Sequence, residues 1–243
     1  MPNQVNRTFN KKSQSIKRKV AFFDVDGTIF RSSLLIEITE KLIEKRYFPE
    51  SIRERYMSAQ KRWLDREGDY ADYIKAVVGV FVEQIKGLPY SHFADTAKEV
   101  VTSEQKKVYR YTRDLIKELR KKNYFLLAIS QSPKTILDPF CRILGFDKVY
   151  GRIFELGPSE SITGNFIDEY LIENKANIVR RAIEKERLSL KGSIAVGDTE
   201  DDIPMLELVE RPICFNPNRK LYKWAKRNQA EIVVERKDVI YKL

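Results

Sequence analysis

Histidine and cysteine are almost missing from this 243-residue chain, and their scarcity removes whole classes of chemistry. The single histidine, His92, has no partner motif, which excludes most histidine-based mechanisms and predicts a structural role. Two cysteines, Cys141 and Cys214, stand far apart without metal-ligand spacing, so the sequence offers no disulfide framework and no thiolate zinc site. They read as reduced residues in or near a core. No apolar run reaches the roughly 18 to 20 residues needed to span a bilayer. No apolar segment near the N-terminus has the form of a secretory signal either. The expectation is a cytoplasmic protein with no membrane partner. Internal repeats are lacking, and so is low-complexity sequence beyond the first residues.

Acidic residues are absent from residues 1–19, where Arg7, Lys11, Lys12, Lys17, Arg18 and Lys19 supply six of the ten net positive charges. The rest of the chain carries only a mild basic excess. A basic tail can touch nucleic acid or an anionic surface, and this tail is the only place where the sequence admits a nucleic-acid partner. With Phe9 as its one aromatic and no repeat, it is expected to be a solvated, disordered extension. Composition is silent on oligomeric state.

Val20 to Asp24 reads as a short strand buried on both faces, the kind found in parallel sheets. From about Ser33 to Glu104 the period changes to that of helices. Leu34, Leu35, Ile38, Leu42 and Ile43 mark the first helix, Glu50 to Arg66 forms a second, and Ile74 to Ile85 lies in a third. A fourth starts near Ser91. Trp63, Tyr70 and Tyr73 read as packing residues among them. After Tyr109, strands and helices alternate. "YFLLAIS" is a strand, and "SPKTILDPFCRILG" is a helix with Ser132 as N-cap and Pro133 in its first position. "VYGRIFELGPSESITGNF" gives strands joined at Gly157 and Pro158, and "NKANIVRRAIEKERL" a helix. "GSIAVGD", "PICFN" and "EIVV" give further strands, separated by helices at "DIPMLELV" and 218–227. This alternation predicts an α/β fold with a parallel sheet covered on both faces and a helical lid inserted after the first strand.

Three of the apolar strands end in polar residues: "AFFD" at Asp24, "FLLAIS" at Ser130 and "SIAVGD" at Asp198. Ligands of open parallel sheets bind beyond the C-terminal strand ends, so neighbouring strands would gather Asp24, Asp26, Ser130 and Asp198. Asp202, four residues after Asp198, falls on the same side. Such a carboxylate cluster needs a cation, and oxygen ligands without histidine suit Mg2+. Lys175, at the start of a helix, is the candidate positive side chain, with Lys134, Arg180 and Arg181 as competitors. Asp201 reads as an acid favoured by a helix dipole. A carboxylate nucleophile, a metal, a lysine and hydroxyl or amide donors together suit phosphoryl transfer through an aspartyl-phosphate.

"DVDGT" (Asp24 to Thr28), Ser130 after its strand, Lys175 and "GDTEDD" (Gly197 to Asp202) together resemble the haloacid dehalogenase superfamily of phosphohydrolases. The position of the helical insert looks like the cap of the subgroup that contains phosphoserine phosphatase. "AEIVVERKDVIYKL" is similar to that subgroup's closing strand and helix. The resemblance implies a Rossmann-like core made of 20–30 and 109–243, with a helical cap at 31–108. It implies Asp24 as nucleophile and Asp26 as general acid and then base. Thr28, Ser130, Gln131 and Lys175 would fall around the phosphoryl group, Thr28 also fixing the turn. Asp24, Asp198 and Asp26 through its backbone carbonyl would hold Mg2+, with Asp202 bracing the metal waters or Lys175. The substrate class implied is a small phosphorylated metabolite. This chain has Ser33 where the subgroup's substrate-reading glutamate is expected, and Gln131 and Ser132 where a glycine pair follows the serine. Both departures point to a phosphomonoester other than phosphoserine.

Three other readings compete. A receiver domain uses a similar aspartate, hydroxyl and lysine, but it is shorter, lacks the insert, and has its paired acids ahead of the phosphorylated aspartate. A phosphotransferase would pass the same phosphoryl group to an acceptor other than water. A protein that kept the fold for binding would use its basic tail on nucleic acid. For Arg31, Arg53, Arg55 and Arg62 in the lid, a solvated helix face is the expectation.

Overall fold

The computed structural model of the protein describes residues 17–167 and 169–243, so the expectation for the basic tail falls almost wholly outside the described residues. In chain order β1 (Lys19–Phe23) is followed by α1 (Leu34–Glu44), α2 (Glu54–Leu64), α3 (Tyr70–Gln84), α4 (Tyr90–Glu104) and α5 (Arg110–Lys121). Then come β2 (Phe125–Pro133), α6 (Lys134–Leu144), β3 (Lys148–Leu156), β4 (Ile162–Ile167), α7 (Glu169–Ile172) and α8 (Lys175–Lys185). The chain closes with β5 (Ser189–Gly197), α9 (Ile203–Leu206), β6 (Arg211–Phe215), α10 (Arg219–Asn228), β7 (Glu231–Arg236) and β8 (Val239–Lys242). The eight strands form one sheet in the order β4-β3-β2-β1-β5-β6-β7-β8. Only the outer pairs β3–β4 and β7–β8 are antiparallel.

From Val20 to Phe23, β1 is continuously apolar because water reaches neither of its faces there. Ala21 and Phe23 point with Leu126, Ala128, Ile194 and Val196 into one core, and Val20 and Phe22 point with Leu127, Ile129, Ala195 and Cys214 into the other. Burying each of the two phenylalanines contributes about 1.5–3 kcal/mol. The first core is shared with apolar residues of α1 to α6, so the inserted helices continue the packing of one sheet face. The second lies against α8, α9 and α10. Cys141 and Cys214 are buried free thiols, as their spacing predicts.

The insert enters and leaves side by side. Arg31 N–H donates to the Lys107 carbonyl and Tyr109 N–H to the Ile29 carbonyl, both at 2.9 Å. Its far side is also tied down, because Gly87 N–H donates to the Ile162 carbonyl at 2.8 Å and Ile162 N–H returns a bond to the Leu88 carbonyl at 3.0 Å. These bonds fix α1 to α4 above the C-terminal ends of the strands. None of the helices among the described residues is long and apolar enough to cross a membrane.

Three local expectations are corrected. Ser132 is not a helix N-cap: β2 runs on to Pro133, which precedes α6, and the Ser132 hydroxyl bonds elsewhere. The segment "AEIVVERKDVIYKL" closes as a β-hairpin rather than a strand and helix. Lys237 takes a positive φ of 55° at the turn, and Val239, Ile240 and Tyr241 bring β-branched and aromatic side chains that favour a strand. The helix at "DIPMLELV" is a single turn, α9, entered through a 3-10 turn at Glu200–Asp202 that carries Asp201.

Candidate active site

Strand order reverses at β1, which has β2 on one side and β5 on the other, and the crevice above such a reversal is where open α/β sheets bind ligands. Asp24 follows β1, Asp198 follows β5, and Ser130 lies near the end of β2. Two glycines let these chains approach. Gly27 has φ +82°, and a Cβ there would lie 2.3 Å from Asp198 Oδ2; a Cβ on Gly197 would lie 2.4 Å from Asp202 Cβ. The glycines of "DVDGT" and "GDTEDD" are therefore spacing requirements of the carboxylate cluster.

One oxygen each from Asp24, Asp198 and Asp202 lies within 4.8 Å of the other two. Lys175, the first residue of α8 and capped by Asn174, enters this cluster from below. Its Nζ donates to Asp24 Oδ1 and to Asp202 Oδ1, each at 2.5 Å. Burial alone would push the ammonium down, but Asp202 and Asp24 together hold it above its ordinary value. Among its competitors, Lys134 pairs with Asp138, and Arg180 and Arg181 are exposed on α8.

Asp202 is fully used. Its other oxygen accepts from the backbone N–H groups of Asp198 and Thr199 at 2.9 and 3.1 Å. It braces Lys175 and the β5 turn with both of its oxygens engaged. Asp198 accepts the Thr28 hydroxyl at 2.9 Å. Asp24 Oδ2, in contrast, is buried without a hydrogen-bond partner among the described residues. Burial, reinforced by Asp202 and Asp26, outweighs the pull of Lys175 and pushes the Asp24 carboxyl up to about 7. Burial and the charges of Asp24 and Asp202 push Asp198 well above its ordinary value. Three carboxylates share one ammonium, and an orphaned buried oxygen faces the deficit. An all-oxygen donor set of this kind fits Mg2+, with Asp24 and Asp198 as the side-chain ligands.

The Asp26 side chain turns away from this cluster. Leu34 N–H donates to its Oδ1 at 2.6 Å, and the hydroxyls of Ser130 and Ser132 donate to its Oδ2 at 2.6 and 2.8 Å. Ser130 in turn accepts from Ser132 N–H at 2.9 Å. The β2–β3 ladder is interrupted between Ile129 and Pro133, which frees both serines to face Asp26. The Asp26 carboxylate is thus not part of the metal cluster, which leaves only its backbone carbonyl for that role. The Thr28 hydroxyl is buried against Asp198 and is not directed at a ligand. Gln131 is exposed and accepts from Arg152, so its side chain does not join the carboxylates. Ser33 caps α1, accepting from Leu35 N–H.

Ser132 and Tyr70 are site residues that the sequence did not single out for the site. Tyr70 opens α3, and burial, reinforced by the charges of Asp26 and Asp198, pushes its hydroxyl up. Its place after Gly68 and Asp69, ahead of the apolar stripe that begins at Ile74, was the available signal. The remaining expectations for the insert hold. His92 stacks on Tyr47, Arg53 pairs with Glu40 and Glu50, Arg55 pairs with Glu83, and Arg62 is exposed. Arg31 is exposed as expected but lies ahead of α1 rather than on a helix, over the Tyr109 ring at the edge of a cavity in the insert.

Known proteins resemble this chain in sequence and fold. A protein of Streptomyces azureus described as inhibiting morphological differentiation is 26% identical over 222 residues, 88% of this chain and 77% of that protein. The phosphoserine phosphatase of Methanocaldococcus jannaschii is 22% identical over 224 residues, 92% of this chain and 95% of its own. A solved phosphoserine phosphatase holding a phospho-aspartyl intermediate analogue superposes with a TM-score of 0.60 at 22% identity, covering 91% of this chain and 95% of that one. The family model of haloacid dehalogenase-like hydrolases matches residues 21–207, from β1 through α9. With the match spanning β1 to β5, the insert and the carboxylates of the site, this chain belongs to the haloacid dehalogenase-like hydrolase family.

Proposed function

We propose that this chain is a Mg2+-dependent phosphatase that hydrolyses a small phosphomonoester through an aspartyl-phosphate on Asp24. The observation that carries the reading is the unpartnered, buried Oδ2 of Asp24, which lies at the strand reversal while Lys175 engages the other oxygen. That oxygen would attack phosphorus as the bond to the ester oxygen breaks. Asp26 would give its proton to the departing alkoxide, then take one from the water that splits the aspartyl-phosphate. Lys175 keeps Asp24 oriented and offsets negative charge that grows as the ester enters. Mg2+, held by Asp24, Asp198 and the Asp26 carbonyl, would supply positive charge against the phosphoryl oxygens. Relatives named as phosphoserine phosphatases support the class of reaction.

Phosphate release from a panel of small esters, with Mg2+ and with chelator, tests this. Metal-dependent release is expected; a metal-replete protein that releases phosphate from none of them would sink the reading. The metal requirement should follow pH with a definite sign. Protons on Asp24 and Asp198 compete with the metal because both carboxyls are pushed up. The Mg2+ concentration for half-maximal activity should therefore fall as pH rises from about 6 to about 8 and then level off.

Ser132→Ala removes one of three donors to the Asp26 carboxylate. The expected result is a loss of about 10- to 100-fold in kcat with little change in KM, the size of a hydrogen bond to a charged group. An unchanged kcat would show that Ser130 and Leu34 suffice.

A further inference from the structure

Within the insert, between its entry at Arg31 and Ser32 and residues of α1, α2 and α3, lies a cavity of about 360 Å³, the volume of about a dozen water molecules. Three aromatic side chains, Trp63, Tyr70 and Tyr73, stand in its walls. Trp63 and Tyr70 meet edge to face at 5.6 Å, and Tyr70 and Tyr73 do so at 6.2 Å. Gln60 donates to the Tyr73 hydroxyl at 3.1 Å, which turns that ring's polar end to a partner. Leu64, 68% exposed, extends the apolar surface at the rim. Ser32 links the cavity to the reaction centre, since its carbonyl accepts Gly27 N–H at 3.0 Å and, two residues on, Leu34 N–H donates to Asp26 Oδ1 at 2.6 Å.

The charges of the lining are unequal. Arg31 projects at the cavity with its guanidinium 5.8 Å from the Tyr109 ring, and no carboxylate among the described residues pairs with it. Glu37 is the one acid in the lining, and Lys107 neutralises it at 2.7 Å. An ammonium-bearing alcohol would find no open anion here. The position where the sequence leads one to look for such an anion is Ser33, which is spent on capping α1. A ring that bears an acidic group would find aromatic edges and faces for its body and a planar guanidinium for its charge.

Resting on the phosphatase reading, we propose that this cavity receives the alcohol half of the ester. That alcohol is a flat, ring-bearing group carrying an anion that Arg31 recognises, with Trp63 and Tyr70 holding the ring. Trp63, Tyr70 and Arg31 then determine specificity and take no part in bond making.

The test compares phenyl phosphate with 4-carboxyphenyl phosphate in the wild type and in Arg31→Gln. The ratio of their kcat/KM values should favour the carboxylated ester in the wild type. It should collapse about 10- to 100-fold in the variant, mostly through KM, as expected for a lost charge-assisted hydrogen bond. A ratio that is the same in both proteins overturns the proposal, and so does a wild type that prefers phosphoserine to both aryl esters. A binding measurement separates this from failure of the phosphatase reading. In a Trp224→Phe chain, where Trp63 is the remaining indole, 4-carboxyphenylphosphonate should quench fluorescence and bind about tenfold more weakly after Arg31→Gln. Quenching without hydrolysis of any ester would overturn the phosphatase and keep the pocket. Hydrolysis of other esters without quenching would overturn the pocket and keep the phosphatase.

Discussion

Asp24→Asn should reduce phosphate release by about 10⁴-fold or more, the scale on which a nucleophile's removal is felt. The amide keeps the shape of the carboxylate, and its oxygen can still accept from Lys175, so the loss would be chemical rather than structural. A folded variant that hydrolyses esters at the wild-type rate would remove Asp24 as nucleophile. The same pair of proteins, in chelator, gives an independent readout. In the folded protein Asp24 is pushed up to about 7, against an ordinary value of 3.8. Between these values the folded state holds a proton that the unfolded chain releases, so this group's contribution to stability falls as pH rises toward 7. Above that it is constant, and well below 3.8 it vanishes. An asparagine side chain does not titrate, so the variant carries no such dependence at this position. The melting temperature of Asp24→Asn minus that of the wild type should therefore increase from about pH 4 to about pH 7 and then stay flat. A difference that is level across this range would show that Asp24 is not held in a charge-rich, water-poor site.

The parts of the site legible in the sequence were those that lie along the chain. A strand buried on both faces must be apolar throughout, so its polar end stands out, and Asp24, Ser130 and Asp198 were visible for that reason. Asp202 and Lys175 were visible from their spacing and from where a helix begins. What the chain cannot express is which oxygen a donor reaches once distant segments meet. Ser132 has the local form of an N-cap, yet its hydroxyl goes to a carboxylate 106 residues away. Thr28 likewise sits in a recognised motif, and only the fold shows that its hydroxyl is spent on Asp198, 170 residues away. Tyr70 belongs to a helix whose apolar period is satisfied without it, so periodicity assigns it nothing. At the C-terminus a resemblance predicted a helix where alternating Val239, Ile240 and Tyr241 pair with β7. The local side chains were the better guide there, since β-branched and aromatic residues fit a pleated edge.

Lys175→Met should have the largest effect on stability, because this ammonium is the one positive charge drawn by both Asp24 and Asp202. Lys175 is 5% exposed and Asp202 0%, so solvent cannot take over its role. Methionine matches the length and leaves the carboxylates buried without a counter-charge, a defect that costs about 3–5 kcal/mol. In a chain of this size that corresponds to a fall in melting temperature of about 6–20 °C, along with loss of turnover. The sign with pH follows from the defect itself: the deficit should be greatest at high pH and shrink on acidification, as Asp24 and Asp198 take up protons that discharge the cluster. Adding Asp24→Asn to Lys175→Met should restore part of the lost stability, since it deletes one of the uncompensated charges, although the double variant would remain inactive. If the methionine variant melts within a degree or two of the wild type, or if the second substitution lowers stability further, Lys175 is held by packing rather than by charge. The cluster would then tolerate its three carboxylates by some other means. Recovery by Asp24→Asn would instead show that Asp24 at the end of β1 and Asp202 in the turn after β5 are kept in the fold by the lysine that binds them both.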